Sequence, residues 1–165
     1  MGEQGLVGLG FVVFGGVWAA RDMTHDRAGN LYFSGGPVSS IGVYRIAPDL
    51  TVTKVAQPQP GGLAPFEPYG VHCDLGTNTL WIADNIPSSQ GRVFSLKLSN
   101  NELNFYATVK NFTQPSLRCI NFDPDTQLPI LGLHTTGLVG PLASTGTLQA
   151  PLSIKNSVDI KLRPN

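Results

Sequence analysis

Charge is what this chain has least of. Lys, Arg, Asp and Glu make up 13% of its 165 residues, about half the roughly 25% of an ordinary soluble domain. The 11 basic and 11 acidic side chains cancel, and no Lys or Arg run stands out. Nucleic acid is thereby excluded as the main partner, because phosphate neutralisation needs clustered cations. Cysteine is equally scarce. Cys73 and Cys119 are the only two, too few for a disulfide framework, and each lies in an apolar run where a thiol serves as a small buried hydrophobe. An apolar run long enough for a membrane-spanning helix is missing as well. Gly5 to Ala20 is uncharged, but it holds five glycines in sixteen residues, short of the roughly 20 apolar residues required. It reads either as a buried strand or as a signal-like segment ending in small residues at Ala19 and Ala20. An acceptor pattern for glycosylation, Asn111-Phe112-Thr113, is compatible with secretion and leaves localisation open.

Glycine and proline are plentiful, at 19 and 13 residues. They disfavour long helices, costing about 1 and 3 kcal/mol in a helix interior. Hydrophobic content of 41% with so little charge also argues against disorder. The composition therefore describes a β-rich, globular chain.

Self-similarity organises it. Three segments each carry an apolar stretch ending in aspartate, a short turn and a β-prone run: Arg21 to Gly36, Pro68 to Asn85, and, more weakly, Leu117 to Gly132. The reference aspartates Asp26, Asp74 and Asp123 are spaced by 48 and 49 residues, a constant period that signals a repeat architecture. Ala28-Gly29-Asn30 and Gly76-Thr77-Asn78 supply residues that tolerate positive φ in hairpin turns. Leu31-Tyr32-Phe33 and Leu80-Trp81-Ile82 suit a pleated, buried surface. Val43 to Ile46 and Arg92 to Leu96 follow, then Thr51 to Val55 and Leu103 to Ala107. Four short strands per unit make the sheet of a β-propeller blade. The expected fold is all-β, an incomplete six-bladed propeller of four-stranded antiparallel blades: an apolar N-terminal segment at 1–20, blades over 21–131, and an uncharged loop region with a terminal strand at 132–165. In that last region Leu152, Ile154, Val158, Ile160 and Leu162 share one strand face. Open blade faces and edges favour self-association. A truncated product, a ring completed by two copies and an irregular cover remain alternative explanations of the short count.

Glu67-Pro68-Tyr69-Gly70-Val71, Asp74 and Asn78-Thr79-Leu80-Trp81-Ile82-Ala83-Asp84-Asn85 resemble the core blade of a group of six-bladed propellers. The group comprises the gluconolactonase and senescence-marker family, the paraoxonases, strictosidine-synthase-like proteins and NHL-repeat proteins. The resemblance implies a metal-dependent hydrolase of a small-molecule lactone or ester, with a divalent metal, usually calcium. It places Asp84 as metal ligand and general base, whereas the family's metal-binding asparagine is replaced by Tyr69 and its early glutamate has no match. Calcium prefers 6–8 oxygen ligands, so this set is incomplete.

The candidate residues follow from that resemblance and from strand phase. Asp84 ends its strand, as catalytic group and metal ligand or as a carboxylate fixing the next turn. Its counterpart in the first unit is Gly35, so the repeat does not require it. Asn85 is a second candidate metal ligand. His72 alternates with Val71 and Cys73, as a catalytic base near neutral pH or as a structural histidine. His25 is out of phase with His72, and His134 falls outside the assigned units. Trp18, Trp81, Tyr32 and Phe33 are expected to fill contacts between blades. No Gly-x-Ser-x-Gly, Cys-x-x-Cys or His-Glu-x-x-His pattern occurs. A non-catalytic, NHL-like binding propeller and an inactive fragment are the rival functional readings.

Overall fold

A computed structural model describes residues 19–37, 40–56, 66–85, 91–110, 112, 116–134 and 136–153. Trp18, Asn111 and residues 154–165 lie outside that set, as do all but Ala19 and Ala20 of the N-terminal segment.

The described residues form twelve strands in three four-stranded antiparallel sheets. The first sheet is β1 (Ala19–His25), β2 (Leu31–Gly36), β3 (Gly42–Ile46) and β4 (Val52–Ala56). The second is β5 (Pro68–Asp74), β6 (Thr79–Asp84), β7 (Arg92–Lys97) and β8 (Glu102–Thr108). The third is β9 (Leu117–Asp123), β10 (Leu128–Leu133), β11 (Leu138–Pro141) and β12 (Leu152–Ser153). Every sheet follows chain order, as short hairpin connections dictate. No α-helix occurs among the described residues, and none is long and apolar enough to cross a membrane.

The β1–β2, β5–β6 and β9–β10 hairpins are built alike. Each turn has one residue at positive φ, namely Gly29, Asn78 and Gln127, and each is pinned by its aspartate. Asp26 accepts from Ala28 N and Asn30 N at 2.9 Å, from Asn30 Nδ2 at 2.7 Å and from Tyr32 Oη at 3.0 Å. Asp74 accepts from Gly76 N at 2.9 Å and from the Thr77 hydroxyl. Asp123 accepts from Asp125 N at 3.0 Å and Thr126 Oγ1 at 2.7 Å. The recurrence at 48 and 49 residues therefore records turn chemistry.

Sheets pack face to face, and alternation along each strand shows which face goes where. In β6, Leu80 and Ile82 join Tyr32, Val43 and Ala56 in a core between the first and second sheets. Trp81 and Ala83 join Leu117, Ile120, Phe122, Leu131 and Leu133 between the second and third. Trp81 stacks on Phe122 at 5.4 Å between ring centres and meets Tyr106 edge-on at 5.1 Å. Tyr32 and Trp81 thus fill contacts between sheets, while Phe33 stacks on Tyr44 within the first sheet. Each fully buried Leu or Ile contributes roughly 1.5–3 kcal/mol. Cys73 and Cys119 are buried and neither is in a disulfide, and burial pushes the Cys73 thiol up to about 11.

The leading strands β1, β5 and β9 lie side by side, β5 between the other two. Val71 N donates to Asp22 Oδ2 at 2.9 Å, Cys73 N to Thr24 Oγ1 at 3.2 Å, and Ser34 Oγ to the Tyr69 carbonyl at 2.5 Å. Gly70 has a steric reason: a Cβ there would meet the backbone of Cys119 and Ile120 at 3.0–3.1 Å. The third sheet continues past residue 131. Its β11 is spelled Leu-Val-Gly-Pro, and its outer strand β12 is only two residues long.

Burial opposes ionisation of Asp26, yet the hydrogen bonds from Asn30, Tyr32 and Ala28 together outweigh it and hold the carboxyl below its ordinary range. A depressed carboxyl stabilises the fold above its unfolded pKa of about 4, and that contribution disappears as pH falls through the lower folded value. Asp26→Asn is expected to lower Tm at pH 7, with the gap from wild type closing below about pH 4 in a thermal melt series. A constant gap down to the acid limit would contradict this.

Candidate functional site

The candidate residues split between two faces of the second sheet. Asp84 follows Leu80 and Ile82 in alternation, toward the first sheet, and pairs across β7 with Arg92. It is 0% exposed and Arg92 is 6% exposed. Arg92 Nε donates to Asp84 Oδ2 at 2.7 Å and Nη2 reaches the same oxygen at 2.5 Å. Oδ1 accepts from Glu67 N at 2.5 Å. Both carboxylate oxygens are therefore engaged. Burial pushes the Asp84 carboxyl above its ordinary range, and the charge and hydrogen bond of Arg92 oppose that only in part.

The half-buried Asn85 adds a second tie to the same segment, its N–H donating to the Glu67 carbonyl at 3.0 Å. Asp84 and Asn85 thus clamp the backbone immediately before β5. The other two sheets carry Gly35 and Leu133 where the second carries Asp84, each opposite the first paired residue before a bulge in its leading strand. An apolar or absent side chain suffices there, so the buried pair is particular to this sheet.

His72 stands elsewhere. It pairs with Trp81, on the face that meets the third sheet, whereas Asp84 pairs with Pro68 at the end of the ladder. Three ladder positions at about 3.3 Å each separate them by roughly 10 Å along β6. Burial lowers the His72 pKa, and the nearby Asp74 charge offsets part of that. No shared proton path joins His72 to Asp84 in this arrangement. His25 is exposed and sits against its neighbour's carbonyl at 3.2 Å. His134 is exposed and its N–H donates to the Ser116 carbonyl at 2.9 Å.

The residues do not fit a calcium ion. A cation at Asp84 would meet oxygens already taken and the Arg92 guanidinium beside them, whereas calcium wants 6–8 oxygen ligands. Among the described residues no group of three or more His, Cys, Asp or Glu could hold a metal.

A feature absent from the sequence reading lies at the start of the leading strands. Each ladder skips one residue there: Arg21 between Ala20 and Asp22, Tyr69 between Pro68 and Gly70, and Arg118 between Leu117 and Cys119. A bulge re-aims its extra side chain, and these three meet. The Arg21 guanidinium carbon lies 3.8 Å from the Tyr69 ring centre, and that of Arg118 lies 4.6 Å from it. The spacings from Arg21 to Tyr69 and from Tyr69 to Arg118 are 48 and 49 residues, the period already visible in the aspartates. The signal was present in the sequence but required the bulge register to be read.

No family model matches the chain, and no curated protein matches it. Among solved structures it is similar to a protein of unknown function from Bacteroides caccae, with 17% identity and a TM-score of 0.58 over 84% of this chain. The chain spans 47% of that protein's length. At this identity the likeness speaks to fold alone.

Breaking a buried ion pair by removing one partner costs about 3–5 kcal/mol, whereas replacing both by apolar side chains is often neutral. Asp84→Leu alone is expected to destabilise by that amount in chemical denaturation, and Asp84→Leu with Arg92→Leu to recover most of it. Equal losses in the single and double variants would contradict a structural pair.

Proposed function

We propose that the chain is a non-catalytic binding module on a partial β-propeller scaffold, of the NHL-like kind. Repeated four-stranded sheets with their leading strands side by side support a propeller-like arrangement, in which those strands would line the central axis. The single observation that carries the binding reading is the fate of Asp84. The one carboxylate matching the hydrolase pattern is buried, ion-paired and hydrogen-bonded to backbone, a structural post instead of a reactive group. Water activation on a metal needs an open coordination position and a carboxylate free to take a proton. Neither is offered by Asp84 and Asn85, and His72 is too distant to substitute.

The hydrolase reading and the binding reading diverge in one experiment. Ligands that bind only the folded state raise Tm by mass action. Millimolar calcium is expected to leave Tm unchanged, with no hydrolysis of a δ-lactone or an aryl acetate above the buffer rate. Calcium-dependent stabilisation that Asp84→Asn abolishes, together with lactone hydrolysis, would overturn the proposal.

A further inference from the structure

We infer that the bulge residues Arg21, Tyr69 and Arg118 form a binding site for the oxyanion group, carboxylate or phosphate, of a small-molecule ligand. The inference rests on the binding-module reading and names the ligand class.

The geometry begins with Tyr69. It sits on the middle of three adjacent leading strands, and an arginine approaches its ring from each neighbour. Stacking on an aromatic ring engages the guanidinium plane and leaves its edge donors available. Arg21 uses one edge atom, Nη1, on the Pro68 carbonyl at 3.2 Å, and Arg118 uses Nε on Ser116 Oγ at 3.2 Å. Among the described residues neither makes a further hydrogen bond or an ion pair with a carboxylate. Of the nearby acids, Asp22 accepts from Val71 N and Met23 N at 2.9 Å, Asp84 is taken by Arg92, and Glu67 carries its charge close to Asp84.

Two cations held on one ring repel each other unless an anion lies between or beside them. Their separation is within a Debye length, about 8–10 Å at moderate salt, so solvent screens them incompletely. Oxyanions are the ligands that guanidinium edges match, through paired N–H donors. The platform is also fixed in place. Asp84 and Asn85 tie the backbone of Glu67, two residues before Tyr69, and Ser34 holds the Tyr69 carbonyl. A cation would be repelled here, so the position that the family resemblance assigns to a metal-binding asparagine instead favours negative charge.

The test is titration calorimetry at low ionic strength with two probes, inorganic phosphate and succinate. Saturable binding of at least one is expected, weakened about tenfold or more in Arg118→Ala and in Arg21→Ala. Arg27→Ala, an exposed turn position, should bind as wild type does. Arg118 is exposed, so its variant is expected to keep the wild-type circular dichroism spectrum. Phosphate binding alone identifies a phosphorylated ligand, succinate binding alone a carboxylate, and either supports the site. No saturable heat with either probe, or unchanged affinity in Arg118→Ala, would overturn it. Lactone hydrolysis alongside Arg118-dependent anion binding would remove the non-catalytic reading and leave the site standing.

Discussion

Burial of β6 on both faces is the constraint from which the rest of the structure follows. A lone four-stranded sheet leaves one apolar face in water. The second sheet avoids this by placing Leu80 and Ile82 against one neighbour and Trp81 and Ala83 against the other. Alternation with period two then assigns every side chain of the strand to one interface or the other. Asp84 consequently shares the face of Leu80 and Ile82, and a carboxylate there must be paired or be neutral. Arg92, its cross-strand partner, supplies the pairing.

The same packing brings β1, β5 and β9 together, because face-to-face sheets converge at their leading strands. Gly70 permits the closest approach to β9, and side chains of Asp22, Thr24 and Ser34 satisfy backbone groups of β5. At the start of each leading strand a bulge takes one residue out of the ladder register, and the three bulge side chains meet. The result is two arginines held against one tyrosine ring in a protein that has little charge.

Much of the fold was legible in the sequence. The aspartate period located the hairpins, Gly29 and Asn78 marked two of the turns, and the β-prone runs gave the strands of the first two units closely. The third sheet was harder, since Gln127 carries the positive φ without a turn-like identity and β11 reads as Leu-Val-Gly-Pro. The site was less legible. Asp84 could be read as catalytic because its partner Arg92 is adjacent only across the ladder, eight residues away in the chain. The cluster at Tyr69 is not legible in the sequence because a bulge is a matter of register: nothing in Arg21, Tyr69 or Arg118 individually departs from an ordinary strand.

Native-state amide hydrogen exchange tests the central packing claim most directly, since protection follows two-sided burial. The β5 and β6 amides should exchange last, only on global unfolding, while those of β4 and β8 open earlier. Early exchange in β6, at the rate of the outer strands, would contradict a middle sheet enclosed by its two neighbours.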